Sequence, residues 1–184
     1  MDEATEIRVM MKQIITAIQY MHDDLKIMHR DIKPDNIMVN VNPLVCKMID
    51  FGTCKDCSLE NANHTAYVST RWYRAPECVL RSHQYGFNSD VFAIGCVMAE
   101  LYLLKPLFPG QSEMDQLERI FKILGTPKPD QWREGYRLAE KREIKFNDYN
   151  KKNLQKYLGE CSDSAFEAIK LMLKISSQKR GTCI

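Results

Sequence analysis

The chain has 184 residues and carries 26 basic against 24 acidic side chains, a formal net charge of +2. A chain of that length buries one sizeable core and crowds a second domain, and so small a charge gives no argument for nucleic acid or an anionic membrane as the main partner, leaving any recognition of phosphate local. No apolar run reaches the length of a membrane span, and Met1-Asp2-Glu3-Ala4-Thr5-Glu6 lacks the basic-then-apolar plan of a secretory signal, which points to an intracellular protein.

From Ile7 the apolar residues recur at Met10, Met11, Ile14, Ile15, Ile18, Met21 and Leu25. This three-and-four spacing predicts a helix with one buried stripe, from near Thr5 to about His22. It delivers the chain to His29-Arg30-Asp31-Ile32-Lys33-Pro34-Asp35-Asn36, where an acid, an ammonium and a carboxamide lie within six positions. Pro34 holds this stretch in a loop, because proline cannot donate a hydrogen bond inside a helix. Ile37-Met38-Val39 and Cys46-Lys47-Met48-Ile49 read as short strands around Asn40-Val41-Asn42-Pro43, whose Asn and Pro favour a turn. Paired as a hairpin, they bring Asn36, just before the first strand, close to Asp50, just after the second.

After Asp50-Phe51-Gly52 the chain from Thr53 to Tyr73 is polar and without period. Structureless stretches of this length in a compact domain are functional or disordered, and motifs on both sides favour function. Cys54 and Cys57, with His64 seven residues on, have a spacing that admits zinc. A structural zinc site takes four ligands, and no second close pair is present to complete it. These two and Cys46, Cys78, Cys96, Cys161 and Cys183 are therefore read as reduced thiols.

Asn88 or Ser89 caps a helix predicted to continue through Leu101 and to be apolar on almost every side, the mark of a helix packed all round in the middle of a domain. Asp90, in its first turn, needs hydrogen bonds if it is buried. Pro106-Leu107-Phe108-Pro109-Gly110 forces a loop. Ser112, with Asp115 three residues on, opens a helix striped by Leu117, Ile120, Phe121 and Leu124 and stopped by Gly125-Thr126-Pro127. Residues 128–160 mix charges with Trp132, Tyr136, Phe146, Tyr149 and Tyr157, which predicts a partly irregular segment wrapping the surface. Ser164-Ala165-Phe166-Glu167 opens a last amphipathic helix through about Lys174. The expected fold class is α+β and mostly helical, with one short hairpin beside the acid-bearing loop.

Three stretches carry chemistry: His29-Arg30-Asp31 through Asn36, Asp50-Phe51-Gly52, and Arg74-Ala75-Pro76-Glu77. Asp31 could accept a hydrogen bond from a hydroxyl and take its proton, and Lys33 could neutralise a transferring phosphoryl group. Asn36 and Asp50 offer the hard oxygens that Mg2+ prefers. Taken singly, Asp31 and Asp35 are also ordinary turn-forming carboxylates; the joint pattern over some fifty positions is what argues against that reading.

In this order the stretches resemble the catalytic core of the eukaryotic protein kinases, and Lys33, two residues after Asp31, is similar to the serine/threonine class. Thr65-Ala66-Tyr67-Val68-Ser69-Thr70-Arg71-Trp72-Tyr73-Arg74-Ala75-Pro76-Glu77 resembles the activation segment of the MAP kinases. Pro106 to Gly110 and Ile123-Leu124-Gly125-Thr126-Pro127 resemble the wider group that also holds the cyclin-dependent kinases. Trp132-Arg133-Glu134-Gly135-Tyr136-Arg137-Leu138-Ala139, with Val68-Ser69-Thr70, looks most like the branch of male germ cell-associated kinase and intestinal cell kinase.

The resemblance implies a protein kinase fold with ATP and Mg2+ as cofactors and protein substrates with Ser/Thr-Pro sites. It implies an upstream kinase that phosphorylates Thr65 and Tyr67, with Arg30 gripping the first phosphate and Arg71 and Arg74 the second; the physics is that of arginine forks on phosphate oxygens. By the same resemblance Thr70 hydrogen-bonds Asp31 and Lys33, Asp90 braces the catalytic loop, Glu77 pairs with Arg180, and β-branched Thr53 goes with a threonine acceptor. Residues 1–184 then correspond to the C-terminal lobe. The Gly-rich loop, the strand lysine and the final helix are not among them, so the lobe alone is expected to be inactive. A non-catalytic docking module or decoy is the alternative. The implied location is cytoplasmic or nuclear, and the family also admits the cilium.

Overall fold

The computed structural model describes residues 3–58, 70–82 and 85–181. Its first helix, α1 (Glu3–Asp23), follows from the apolar spacing. Ile7, Met11, Ile14, Ile18 and Met21 are buried along one stripe, each contributing about 1.5–3 kcal/mol of transfer free energy. Leu25, which continues the spacing, lies past the helix end and is exposed.

Four short strands follow: β1 (Ile27–Met28), β2 (Ile37–Val41), β3 (Leu44–Met48) and β4 (Lys55–Asp56). β2 and β3 form the expected antiparallel hairpin, with Ile37 opposite Met48 and Val41 opposite Leu44. It is docked on α1 by Gln13, whose Nε2 donates to the Leu44 carbonyl at 3.1 Å and whose Oε1 accepts from the Cys46 amide at 2.9 Å. β1 and β4 also pair, Ile27 opposite Asp56. The stretch beginning at Thr53, read from sequence as loop, thus contains a strand; two residues are too few to show a period of two.

The rest is helical: α2 (Pro76–Val79), α3 (Asn88–Leu103), α4 (Glu113–Leu124), α5 (Arg133–Glu140), α6 (Leu154–Leu158) and α7 (Asp163–Met172). α3 is the centre, buried continuously from Ser89 to Ala99 and packed by α1, α6 and α7. Gly95 permits the closest of these approaches, because a Cβ there would come within 2.8 Å of the Met172 Cβ. Neither expected cap of α3 acts as one. Phe87 holds the cap position, the Asn88 amide donates to the Ser177 carbonyl at 2.8 Å, and the Ser89 hydroxyl donates to Gly86. Ser112 does cap α4, accepting from the Asp115 amide at 3.1 Å, while Asp115 turns to the Gln111 amide instead of closing a capping box. Ser162, two residues earlier than expected, caps α7.

Residues 128–160, expected to be partly irregular, contain α5 and α6. Eight- and five-residue helices are too short for their period to stand out, and tertiary contacts hold them instead. Trp132 is buried, stacked on Phe146 at 6.1 Å, and Phe146 meets the edge of Phe121 at 5.0 Å.

A buried ion pair closes the domain. Arg180 donates from Nη1 and Nη2 to the two carboxylate oxygens of Glu77 at 2.7 and 3.0 Å, and gives its remaining hydrogens to the carbonyls of Lys174, Ile175 and Asn88. It also lies 5.1 Å from the Phe92 ring centre. Every guanidinium hydrogen is used, which is what makes a charge tolerable at this depth. Removing one partner strands the other. Arg180→Met is therefore expected to destabilise the chain by about 3–5 kcal/mol in urea unfolding, and a loss below about 1 kcal/mol would contradict this role.

Candidate functional site

The loop between β1 and β2 is held from beneath by the central helix. Asp90, buried in the first turn of α3, accepts from the His29 amide at 2.8 Å and the Arg30 amide at 2.9 Å on its two oxygens, and from His22 Nε2 at 2.9 Å. Successive amides converge in this way when one residue takes a left-handed conformation, and Arg30 does so at φ 67°. A non-glycine residue there costs on the order of 1 kcal/mol, a strain that charge-assisted hydrogen bonds to a buried carboxylate outweigh.

His29 is fully buried and links two motifs. Its Nδ1 accepts from the Asp31 amide at 3.3 Å and its Nε2 lies 3.2 Å from the Ile49 carbonyl. A neutral ring with its proton on Nε2 satisfies both. The loop is thereby tied to the residue preceding Asp50. A second tie is the Ile49 amide donating to the Asn36 carbonyl at 3.0 Å, beyond the last strand pair.

On this frame the side chains of three motif residues meet. Lys33 Nζ lies 2.9 Å from Asp31 Oδ2, and the Asn36 amide donates to the same oxygen at 3.0 Å and to the Asp31 carbonyl at 2.8 Å. Asp31 and Asn36 are buried, so the carboxylate is oriented by a cation and an amide in a partly dry setting. Asp50 stands one residue past the Asn36–Ile49 hydrogen bond, exposed, at φ 60°. Its side chain accepts from the Gly52 amide at 3.3 Å and starts the turn Phe51–Thr53. With that one long hydrogen bond its carboxylate retains lone pairs, and with the Asn36 Oδ1 it supplies a hard-oxygen donor set that fits Mg2+.

Arg30 Nε donates to the Thr53 carbonyl at 2.6 Å and its Nη1 to the Tyr85 hydroxyl at 3.1 Å, while the Thr53 hydroxyl donates back to the His29 carbonyl at 3.0 Å. Arg30, Asp31, Thr70, Arg74 and Asp90 line one small cleft. Arg74 is nearly buried in it, whereas Arg71 is exposed and is not among its lining residues. Thr65 and Tyr67 lie outside the described residues. Thr70 borders this cleft, its exposed side chain preceding the turn Arg71–Tyr73, and no hydrogen bond joins it to Asp31 or Lys33 among the described residues.

Titration follows burial around the site. Burial, with Asp90 and Asp50 nearby and against the pull of Arg30, pushes the Cys54 thiol up to about 11, so it stays protonated. Burial also raises the Glu100 carboxyl although the Tyr73 hydroxyl donates to it at 2.8 Å. Cys54 and Cys57 are free thiols on either side of β4.

Sequence reasoning missed Gln116. This side chain is fully buried on α4; its Oε1 accepts from the Gly110 amide at 3.1 Å and its Nε2 donates to the Trp72 carbonyl at 3.3 Å. Trp72 in turn gives its indole N–H to the Gly110 carbonyl at 3.1 Å. The loop 106–110 and the turn that follows Thr70 are thus clamped together. A glutamine inside an otherwise apolar stripe was the available signal.

The family model for the protein kinase domain matches residues 2–184. Human serine/threonine-protein kinase MAK is 42% identical over 176 residues, which is 96% of this chain and 28% of that relative. Rat serine/threonine-protein kinase ICK is 40% identical over 176 residues with the same coverage of both. Rice cyclin-dependent kinase F-3 is 39% identical over 177 residues, 96% of this chain and 40% of the relative. The chain thus spans 28% of the length of the MAK and ICK relatives.

Replacing Gln116 by leucine keeps the volume, leaves the Gly110 amide only its 2.9 Å bond to the Phe108 carbonyl, and strips the Trp72 carbonyl of its side-chain donor. The expected cost is about 1–3 kcal/mol in urea unfolding; a change below about 0.5 kcal/mol would show that the clamp carries no load.

Proposed function

Because the chain belongs to the protein kinase family, we propose that it is the catalytic C-terminal lobe of a serine/threonine kinase that transfers the ATP γ-phosphate to Ser/Thr-Pro sites. The observation that carries this reading is the convergence of Lys33 and Asn36 on the buried Asp31, with Asp50 one residue beyond the hydrogen bond from Ile49 to Asn36. Phosphoryl transfer asks a protein mainly for position and charge. Asp31 would orient the substrate hydroxyl and accept its proton, and Lys33 would offset charge developing on the transferring group. Asn36 and Asp50 would hold Mg2+, which when bound neutralises the phosphate oxygens.

The hairpin and turn beside these residues leave Met38, Val41 and Phe51 exposed. An apolar patch of this kind is covered in use, here by the base of the nucleotide and by a second lobe bearing the phosphate-covering loop. A docking module or decoy has no need of Asp31, Lys33, Asn36 and Asp50 together, which speaks for catalysis. Regulation would come from an upstream kinase acting on Thr65 and Tyr67, with Arg30 and Arg74, which share a cleft, and Arg71 receiving the phosphates.

The test is phosphate transfer from ATP to matched threonine-proline and serine-proline peptides by the full-length gene product. Asp31→Asn and Asp50→Asn are each expected to lower kcat/KM by about 10³-fold or more, with the threonine peptide the faster substrate of the unaltered protein. Full activity in either variant would overturn the assignment, and equal rates on the two peptides would remove the acceptor preference.

A further inference from the structure

A second concave surface shares no lining residue with the cleft at Asp31. It is a groove of about 710 Å³ between two walls: the chain that follows α4 together with residues 146–151, and the end of α7 with the segment to Lys179. The volume falls in the range of binding clefts. The first wall is built, not loose. The Thr126 amide donates to the Tyr149 carbonyl at 3.0 Å and the Thr126 hydroxyl to the Asn147 carbonyl at 2.7 Å, and the Lys152 amide donates to Ile123 at 3.0 Å. Tyr136 fastens the base, its hydroxyl donating to the Pro127 carbonyl at 2.9 Å and its ring edge-on to Phe146 at 5.1 Å.

The charge of this groove is uneven for a chain whose formal net charge is only +2. Five lysines line it, at 128, 151, 170, 174 and 179, against the single carboxylate of Asp148. Lys170 is matched by Glu167 at 2.9 Å on its own helix. The other four have no carboxylate within ion-pairing distance among the described residues. Between them lies half-buried apolar surface from Phe146, Tyr149 and Ile175.

We infer that this groove docks an acidic peptide segment of another protein, its carboxylates on the four unmatched lysines and an apolar side chain between them. The absence of arginine from the lining selects this partner over a phosphorylated one. Phosphate is gripped by the planar guanidinium fork, whereas lysines on flexible stems act as point charges that suit carboxylates spread along a chain. Charge complementarity of this kind sets association rate and specificity more than raw affinity. The docking does not depend on phosphoryl transfer at Asp31.

The test is fluorescence anisotropy of a labelled glutamate-rich peptide with a central pair of leucines, titrated with the chain at low ionic strength. Saturable binding is expected, weakened by about tenfold or more in the double variant Lys151→Glu, Lys174→Glu. Lys128→Glu, exposed on the first wall, should give a separate loss of about threefold. Lys47→Glu carries the same charge change on the exposed hairpin and should alter binding by less than about twofold. An oligouridylate of equal charge should not displace the peptide. Absence of saturable binding, an equal loss from Lys47→Glu, or more effective displacement by the RNA would each overturn the proposal. Far-ultraviolet circular dichroism of each variant separates a lost groove from a lost fold.

Discussion

The arrangement of this molecule depends on one buried carboxylate. Asp90 sits at 2% exposure in the first turn of a helix packed on every side, and an ionised acid at that depth is tolerable only when its lone pairs are filled. Donors from His22, His29 and Arg30 fill them. The exchange works in both directions: the helix gains a neutralised acid, and the loop between β1 and β2 gains an anchor in the most rigid part of the core. Through His29 the anchoring reaches Ile49 and the Asp31 amide, and through Asp31 it reaches Lys33 and Asn36. One run of hydrogen bonds leads from the central helix to the cleft.

That chain explains what could and could not be read in the sequence. Elements governed by a period were legible, because the apolar stripe of α1 and the all-round apolarity of α3 are properties of consecutive residues. The motif acids were legible because their chemistry and spacing are local. The hairpin was legible because a turn signal separates two apolar runs, and it alone sufficed to predict that Asn36 and Asp50 approach. Gln13, Gln116 and the ring of His29 were not. Each bonds backbone groups brought near by folding, 31 and 33 residues away for Gln13 and 6 and 44 for Gln116, and nothing in their neighbours announces it. β4, α5 and α6 were missed for a related reason: elements of two, eight and five residues are held by what they pack against.

The surface divides into regions of different chemistry. Beside Asn36 and Asp50 the hairpin presents exposed apolar side chains; at the cleft below, Arg30 and Arg74 stand with Asp31; and the groove between the post-α4 wall and the end of α7 gathers lysines. A small net charge conceals this separation, and the distribution is what recognition reads. The buried pair of Glu77 and Arg180 holds the segment after α7 against α2 and α3, so the elements carrying these regions share one core.

Whether Asp90 fixes the loop to the core is decided by native-state hydrogen exchange of the amides it receives. With the anchor in place, the His29 and Arg30 amides exchange only when α3 opens, with protection matching that of its central amides. Exchange of these two amides at the rate of an exposed loop, while α3 stays protected, would contradict it.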